Sequence, residues 1–169
     1  MSGIQETLEA VLSPDNSRRK QGEEHLEQQK QQDPNKLMEE MYQAMTHSQD
    51  NIANLACVLF KKYFLDNETV SKETLQMLEQ NMFNILDFER SQLVLHAQGG
   101  VIVRVYAKLE QVQTLLHKII ELNKHDNPVV RELSMYMLEI LVDVHIPGDL
   151  AKENIHEFKK IYGETLVCG

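Results

Sequence analysis

Tryptophan is absent from this sequence, and helix-breaking residues are scarce, with four prolines and seven glycines in 169 residues. So few breakers exclude a collagen-like or Pro/Gly-rich low-complexity chain, and a hydrophobic fraction of 42% excludes intrinsic disorder. The two cysteines, Cys57 in an apolar run and Cys168 next to the end, supply neither a disulfide framework nor a four-ligand zinc site. Reduced thiols in the cytosol or nucleus are the simplest reading. No apolar run approaches the roughly 18 residues of a membrane span. Met1 to Ala10 carries Glu6 and Glu9 and no basic leader region, so a soluble, intracellular chain without a membrane partner is expected. Positive charge is in deficit: 17 Lys and Arg stand against 26 Asp and Glu, for a net charge of −9. That balance argues against a nucleic-acid partner, which normally meets a basic face, and suits basic protein partners better.

What the chain does have is helix formers. Leu, Met, Gln, Glu and Lys are abundant while aromatics make up 6%, so the composition leans all-α. The dipeptide Asp-Asn occurs at Asp15-Asn16, Asp50-Asn51 and Asp126-Asn127, each ahead of a segment with helical apolar spacing. The intervals are 35 and 76 residues, the second being two steps of 38, and Asp87 to Arg90 stands where the missing copy belongs. A unit of about 35 to 40 residues fits a two-helix repeat, with Asx side chains accepting the orphan N–H groups of a first turn.

Apolar spacing fills in the units. Ile4, Leu8 and Val11 mark a first helix stopped by Ser13-Pro14, and a mostly polar second helix has Gly22 and Leu26 as inward positions. Asp33-Pro34 opens the next pair, with Leu37, Met38, Met41, Ala44 and Met45 on one face, then Ile52, Leu55, Ala56, Leu59 and Tyr63. Leu75, Leu78, Met82 and Ile85 precede the run from Ser91 to Leu109. The fourth unit has Val112, Leu115, Leu116, Ile119 and Ile120, then Val129, Leu133, Met137, Leu138 and Leu141. The expected fold is an α-α superhelix of about four units, 1–32, 33–66, 71–109 and 111–145, in one domain. A ninth helix, 149–162, is marked by Leu150, Ile155, Phe158 and Ile161. Leu93 to Val105 also reads as a hairpin around Gly99-Gly100, but an isolated hairpin is marginally stable and the repeat phase demands a helix there.

The run Leu12-Ser13-Pro14-Asp15-Asn16-Ser17-Arg18-Arg19-Lys20-Gln21-Gly22-Glu23-Glu24-His25-Leu26 resembles the first repeat of the importin-β (karyopherin-β) family. Ile52 to Phe64 is similar to that family's second B helix, the second helix of a repeat pair, and Asp126 to Leu133 to a general HEAT-repeat B-helix start. Asn54 stands where the family commonly carries Arg, and Gly22 where it carries Ala. The resemblance implies a nuclear transport receptor's N-terminal arm, shuttling between cytoplasm and nucleus, whose concave B helices bind the small GTPase Ran in its GTP form. Cargo and nucleoporin surfaces lie further along the family's longer superhelix, so a fragment or reduced paralogue is expected.

The residues themselves offer no catalytic constellation. HExxH is missing, Glu153 and His156 form the only ExxH, and no phosphate-binding glycine loop exists, so no enzyme, cofactor or metal is expected. Candidate partner-binding positions are Arg18 and Arg19, where two cations oppose the helix dipole; Asn54, Lys61 and Lys62 on the second B helix; Gln98 and Arg104 on the third; and Glu132 and Tyr136 on the fourth. The alternative function is a HEAT-type scaffold or adaptor for another protein.

Overall fold

The computed structural model describes residues 2–66 and 71–145. Those residues form eight α-helices and no strand: α1 (Ser2–Val11), α2 (Asn16–Gln32), α3 (Pro34–Ala44), α4 (Asp50–Phe60), α5 (Lys72–Glu79), α6 (Gln92–Lys108), α7 (Val112–Asn123) and α8 (Pro128–His145). The chain is therefore all-α, and Gly99-Gly100 lies inside α6 rather than at a hairpin turn. The expected ninth helix, 149–162, lies outside the described residues. Two compact units divide the chain at Val101 and Ile102, within α6, and each is treated by itself.

In the first unit, α1 stops at the Ser13-Pro14 break, where the Ser13 hydroxyl accepts the Asp15 N–H at 3.1 Å. Asp15 then caps α2 by accepting the Ser17 N–H at 2.9 Å. Only Gly22 and Leu26 of α2 are buried. A side chain at Gly22 would meet Val11 Cγ2 at 3.0 Å and both Ala10 Cβ and the Thr7 carbonyl at 3.1 Å, so glycine sets how closely α1 and α2 approach. Asp33 serves both neighbours: its N–H bonds Gln29 O at the end of α2, and its carboxylate accepts the Lys36 N–H at the start of α3. Pro34 follows at the first helical position, where its missing N–H costs nothing.

The apolar faces of α3 and α4 pack together, with Leu37, Met38, Met41 and Met45 against Ile52, Ala56, Cys57 and Phe60, all buried. Leu55, expected inward, is half-buried. After Phe60 the helix continues as one π-turn, Lys61–Leu65, closed by Asp66 N–H on Lys61 O. The wider turn brings both Tyr63 and Phe64 to the interior, with Phe64 edge-on to Phe60 at 5.4 Å between centroids.

The stretch Leu75 to Ile85 reads from its spacing as one helix and is in fact two. α5 ends at Glu79, and Met82–Ile85 is a separate 3₁₀ turn. Asn81 sits between them at φ −118°, outside helical geometry, and its carbonyl is held by the Tyr42 hydroxyl at 3.3 Å. Leu75, Met82 and Ile85 still point inward.

Four long-range bonds of the first unit share nearly one sequence offset. Thr74 bonds Asn35 and Tyr42 bonds Asn81, both 39 residues apart; Arg90 reaches Asp50 across 40 residues and Ser48 O across 42. Segments 33–66 and 71–101 therefore stand side by side with equivalent positions adjacent. Deeper in, Gln98 Nε2 donates to Met45 O at 2.8 Å.

In the second unit, α6 ends in a Schellman cap: Gln111 N–H bonds Tyr106 O and Glu110 N–H bonds Ala107 O. Glu110 occupies the left-handed position at φ 58°, where glycine is usual. Leu115 and Ile119 of α7 pack with Leu133, Met137 and Leu141 of α8. Val129, expected inward, is 41% exposed, and Val130 takes the interior position. The Arg131 guanidinium closes the α7–α8 turn by donating to His125 O and Asp126 O at 2.8 and 2.9 Å.

Two substitutions read these geometries in opposite directions. Glu110→Gly relieves the left-handed residue and should raise thermal stability by about 1 kcal/mol. Gly22→Ala should lower it by about 1 kcal/mol despite the better helix propensity of alanine, because a backbone carbonyl cannot swing aside. Denaturant titration of both variants checks the pair.

Candidate partner-binding face

The sequence-predicted residues fall into separate places. Arg18 and Arg19 are exposed in the first turn of α2, where Asn16 Oδ1 accepts from the Arg19 guanidinium. Asn54 is half-buried on α4. Lys61 and Lys62 lie on the π-turn after α4 rather than on the α-helix itself, Lys61 half-buried and Lys62 exposed. In the second unit, Arg104 and Tyr136 are half-buried and Glu132 is exposed. Gln98 is not on a surface. It has no solvent exposure, and its amide is given to Met45, because α6 is enclosed on all sides from Gln98 to Val103. The expected concave position at Gln98 is corrected to an interior, register-setting one.

Around Tyr63 the structure assembles a cluster that the sequence does not announce. Lys62 stands 5.6 Å from the ring centroid, and Lys30, eleven residues beyond Arg19 on α2, stands 5.1 Å from the same ring. Each such contact contributes about 0.5–1 kcal/mol at an exposed site. The Tyr63 hydroxyl is pushed above its ordinary pKa by burial and then by the charges of Glu27 and Glu23 on α2. Lys30 belongs to a Gln- and Glu-rich stretch that reads as a solvated face, and no local pattern pairs it with a ring thirty-three residues on. The rise along α2 is about 1.5 Å per residue, so Arg19 and Lys30 are about 16 Å apart. Arg18 and Arg19 therefore do not share one patch with this cluster.

Apolar exposure accompanies the cations. Val58, one turn before Lys61 and Lys62, is 45% exposed, and Leu93 near the start of α6 is 62% exposed. The Cys57 thiol is pushed up to about 12 by burial, so it packs as a small apolar group and is no nucleophile near neutral pH. The hollow at the α2–α3 elbow, about 170 Å³ between Gln29, Asp33, Lys36 and Glu40, is smaller than usual ligand pockets.

At the other end of α4, Arg90 Nη2 meets Asp50 Oδ1 at 2.8 Å. The Arg90 hydrogen bond, followed by that of Ser91, holds the Asp50 carboxyl below the usual carboxylate range. A scan against protein-family models, a search of curated proteins and a search of solved structures each return no match to this chain.

A lowered folded-state pKa means that the Asp50 link contributes above the ordinary carboxylate value and is lost as the pH falls through the lowered one. Carboxyl-carbon NMR should show Asp50 titrating below about 3.9, and Arg90→Ala should return it toward that value. An Asp50 titration unchanged by Arg90→Ala would remove the assigned cause.

Proposed function

We propose that this chain is the N-terminal arm of a nuclear transport receptor of the importin-β type, a HEAT-repeat array that binds Ran in its GTP form through its second helices. The observation that carries the reading is the Leu12 to Leu26 run. Its Ser13, Asp15 and Leu26 are the residues that stop α1, cap α2 and seat α2 inward. Its departure at Gly22 has a local cause in the close approach of Val11, Ala10 and Thr7, so it does not weaken the resemblance. The 39- to 42-residue offset between bonded positions supports a repeating two-helix unit, as stacked copies require.

In this reading Lys61, Lys62 and Asn54, with Val58 among them, face the GTPase. Arg18 and Arg19 make a separate contact. Arg104, Glu132 and Tyr136 are the candidate contacts of the second unit, taken by itself. In the importin-β family cargo proteins and nucleoporins engage other parts of the superhelix, and the receptor works in both cytoplasm and nucleus. A scaffold for a different protein is the second reading, favoured by Asn54 in place of the family's arginine.

A receptor extracts direction only from a difference in affinity between two nucleotide states of its partner. Calorimetry should show this chain binding Ran loaded with a non-hydrolysable GTP analogue at least tenfold more tightly than Ran loaded with GDP. Lys61→Glu combined with Lys62→Glu should weaken that binding and flatten its salt dependence, with helicity retained by circular dichroism. Equal affinity for both states rejects the receptor arm in favour of the scaffold.

A further inference from the structure

We propose that the imidazoles of His47 and His125 are proton-sensitive fasteners of the turns that open α4 and α8. In each turn the ring Nδ1 accepts the backbone N–H two residues on: Gln49 N–H meets His47 Nδ1 at 3.0 Å, and Asn127 N–H meets His125 Nδ1 at 3.1 Å. Gln49 and Asn127 stand immediately before the first residues of their helices, Asp50 and Pro128. The turn that opens α2 is built the same way, with the Ser13 hydroxyl accepting the N–H of Asp15, the residue ahead of Asn16. Ahead of α6 the Asp87 carboxylate accepts the Glu89 N–H at 3.1 Å, slightly further from the helix start. Four connections therefore share one device, a side-chain acceptor for an N–H two residues on. Histidine fills it twice, at positions 78 residues apart, twice the 39 that separate the bonded Tyr42 and Asn81.

An imidazole differs from a hydroxyl or a carboxylate here because its acceptor is also its basic atom. To accept at Nδ1 the ring must be neutral, with its proton on Nε2. A second proton takes that same Nδ1 lone pair and turns the acceptor into a donor aimed at another donor. A guanidinium on the carbonyl side of both turns sharpens the effect. Arg90 Nη2 donates to Ser48 O at 3.4 Å while holding Asp50 at 2.8 Å, and Arg131 Nη1 donates to His125 O and Asp126 O at 2.8 and 2.9 Å. Ring protonation adds a positive charge beside each of these clasps. The other charged groups at the second turn are Asp126 itself and the Glu121 and Lys124 pair, 3.5 Å apart at the end of α7. His47 is half-buried and His125 exposed, so protons from solvent reach both. Imidazole is the side chain that ordinarily changes charge between about pH 5 and 8, so the two turns are fastened on the alkaline side of that interval and released on the acid side. A serine hydroxyl and a carboxylate remain acceptors throughout it, which makes the turns ahead of α2 and α6 internal controls. The turn at His47 leads into α4, so acid loosens the support of any partner contact that α4 carries. That consequence rests on the proposed function; the fastening of the turns does not.

NMR on the whole chain tests the device without any partner present. At about pH 8 the ring nitrogens of both His47 and His125 should show Nδ1 unprotonated and Nε2 protonated. Between about pH 8 and pH 5.5 the protection of the Gln49 and Asn127 amides against hydrogen exchange, corrected for the intrinsic pH dependence of exchange, should fall about fivefold, while that of Asp15 and Glu89 holds. His47→Asn and His125→Asn supply a side-chain oxygen that accepts the same N–H and does not titrate, so each should keep its own turn protected at both pH values. Four results overturn the proposal: an Nδ1-protonated ring at the higher pH, no loss of protection at either histidine turn, an equal loss at all four turns, and a loss that persists in the asparagine variants. The ring-nitrogen spectrum is read on the unmodified chain, so that readout survives a variant that disturbs folding.

Discussion

A polar side chain with no access to water needs partners inside the protein, and the Gln98 amide nitrogen is given the carbonyl of Met45 while its Oε1 has no partner among the described residues. An unmade bond at such a site costs roughly 1–3 kcal/mol, more than most surface contacts contribute. Met45 ends α3, so this one bond fixes α6 lengthwise against the corner between α3 and α4. The outer bonds of Tyr42, Asn35 and Arg90 are individually weaker, but they share nearly the same offset. A slip of one residue between the neighbouring helix pairs breaks all of them together, so a set of small terms holds one register. Asn54, Val58 and the π-turn lysines are carried by α4, and the two supports at Met45 and Asp50 bracket the connection that leads into it, so the register sets where α4 begins.

The apolar stripes of α3 and α4 were legible because every inward residue is apolar and recurs at helical spacing. Legibility failed where a polar atom overrides the stripe. Leu75 to Ile85 reads as one helix on spacing alone, yet Asn81 leaves helical geometry while its carbonyl accepts from Tyr42, a residue of a neighbouring pair. Val129 reads as inward, but Asn127 Oδ1 caps the Val129 N–H and the helix begins with Val130 facing the core. Gln98 left a clue in the six residues from Gln98 to Val103, which offer no polar face on which to put it. Lys30 left none, since a cation and a ring that meet across two helices share no local pattern. The repeat length was readable from the Asp-Asn intervals, while the structural offset of 39 to 42 residues comes from bonds between side chains that those intervals do not contain.

Two places depart from ideal helix geometry, and each keeps a contact that a regular helix would lose. The π-turn after α4 widens the coil by one residue, which allows the adjacent Tyr63 and Phe64 both to be buried while Lys62 stays in water. Glu110 accepts a left-handed backbone so that α6 can end in a closed cap and α7 can start within two residues. The strain at Glu110 serves chain direction, reversing the backbone between α6 and α7.

Charge is sorted by helix in a way that net charge conceals. Glu6 and Glu9 lie on α1, Glu39 and Glu40 on α3, and Glu73 and Glu79 on α5, whereas α6 carries no acid and the single acid of α4, Asp50, is taken up by Arg90. A chain with a net charge of −9 therefore presents cations at the end of α4. The two facts imply different partners only if both act at the same range. Screening confines exposed charges to about 8–10 Å at physiological salt, so a docked surface feels its immediate neighbours and little of the distant excess of acid. The overall charge then governs solubility and approach, and the presence of Lys30 and Lys62 at the Tyr63 ring shows that an acidic chain can still hold cations locally. The net charge by itself points to a basic partner, whereas around Tyr63 the two lysines Lys30 and Lys62 stand beside the acids Glu23 and Glu27, so the local sign there is mixed and cannot be read from the total.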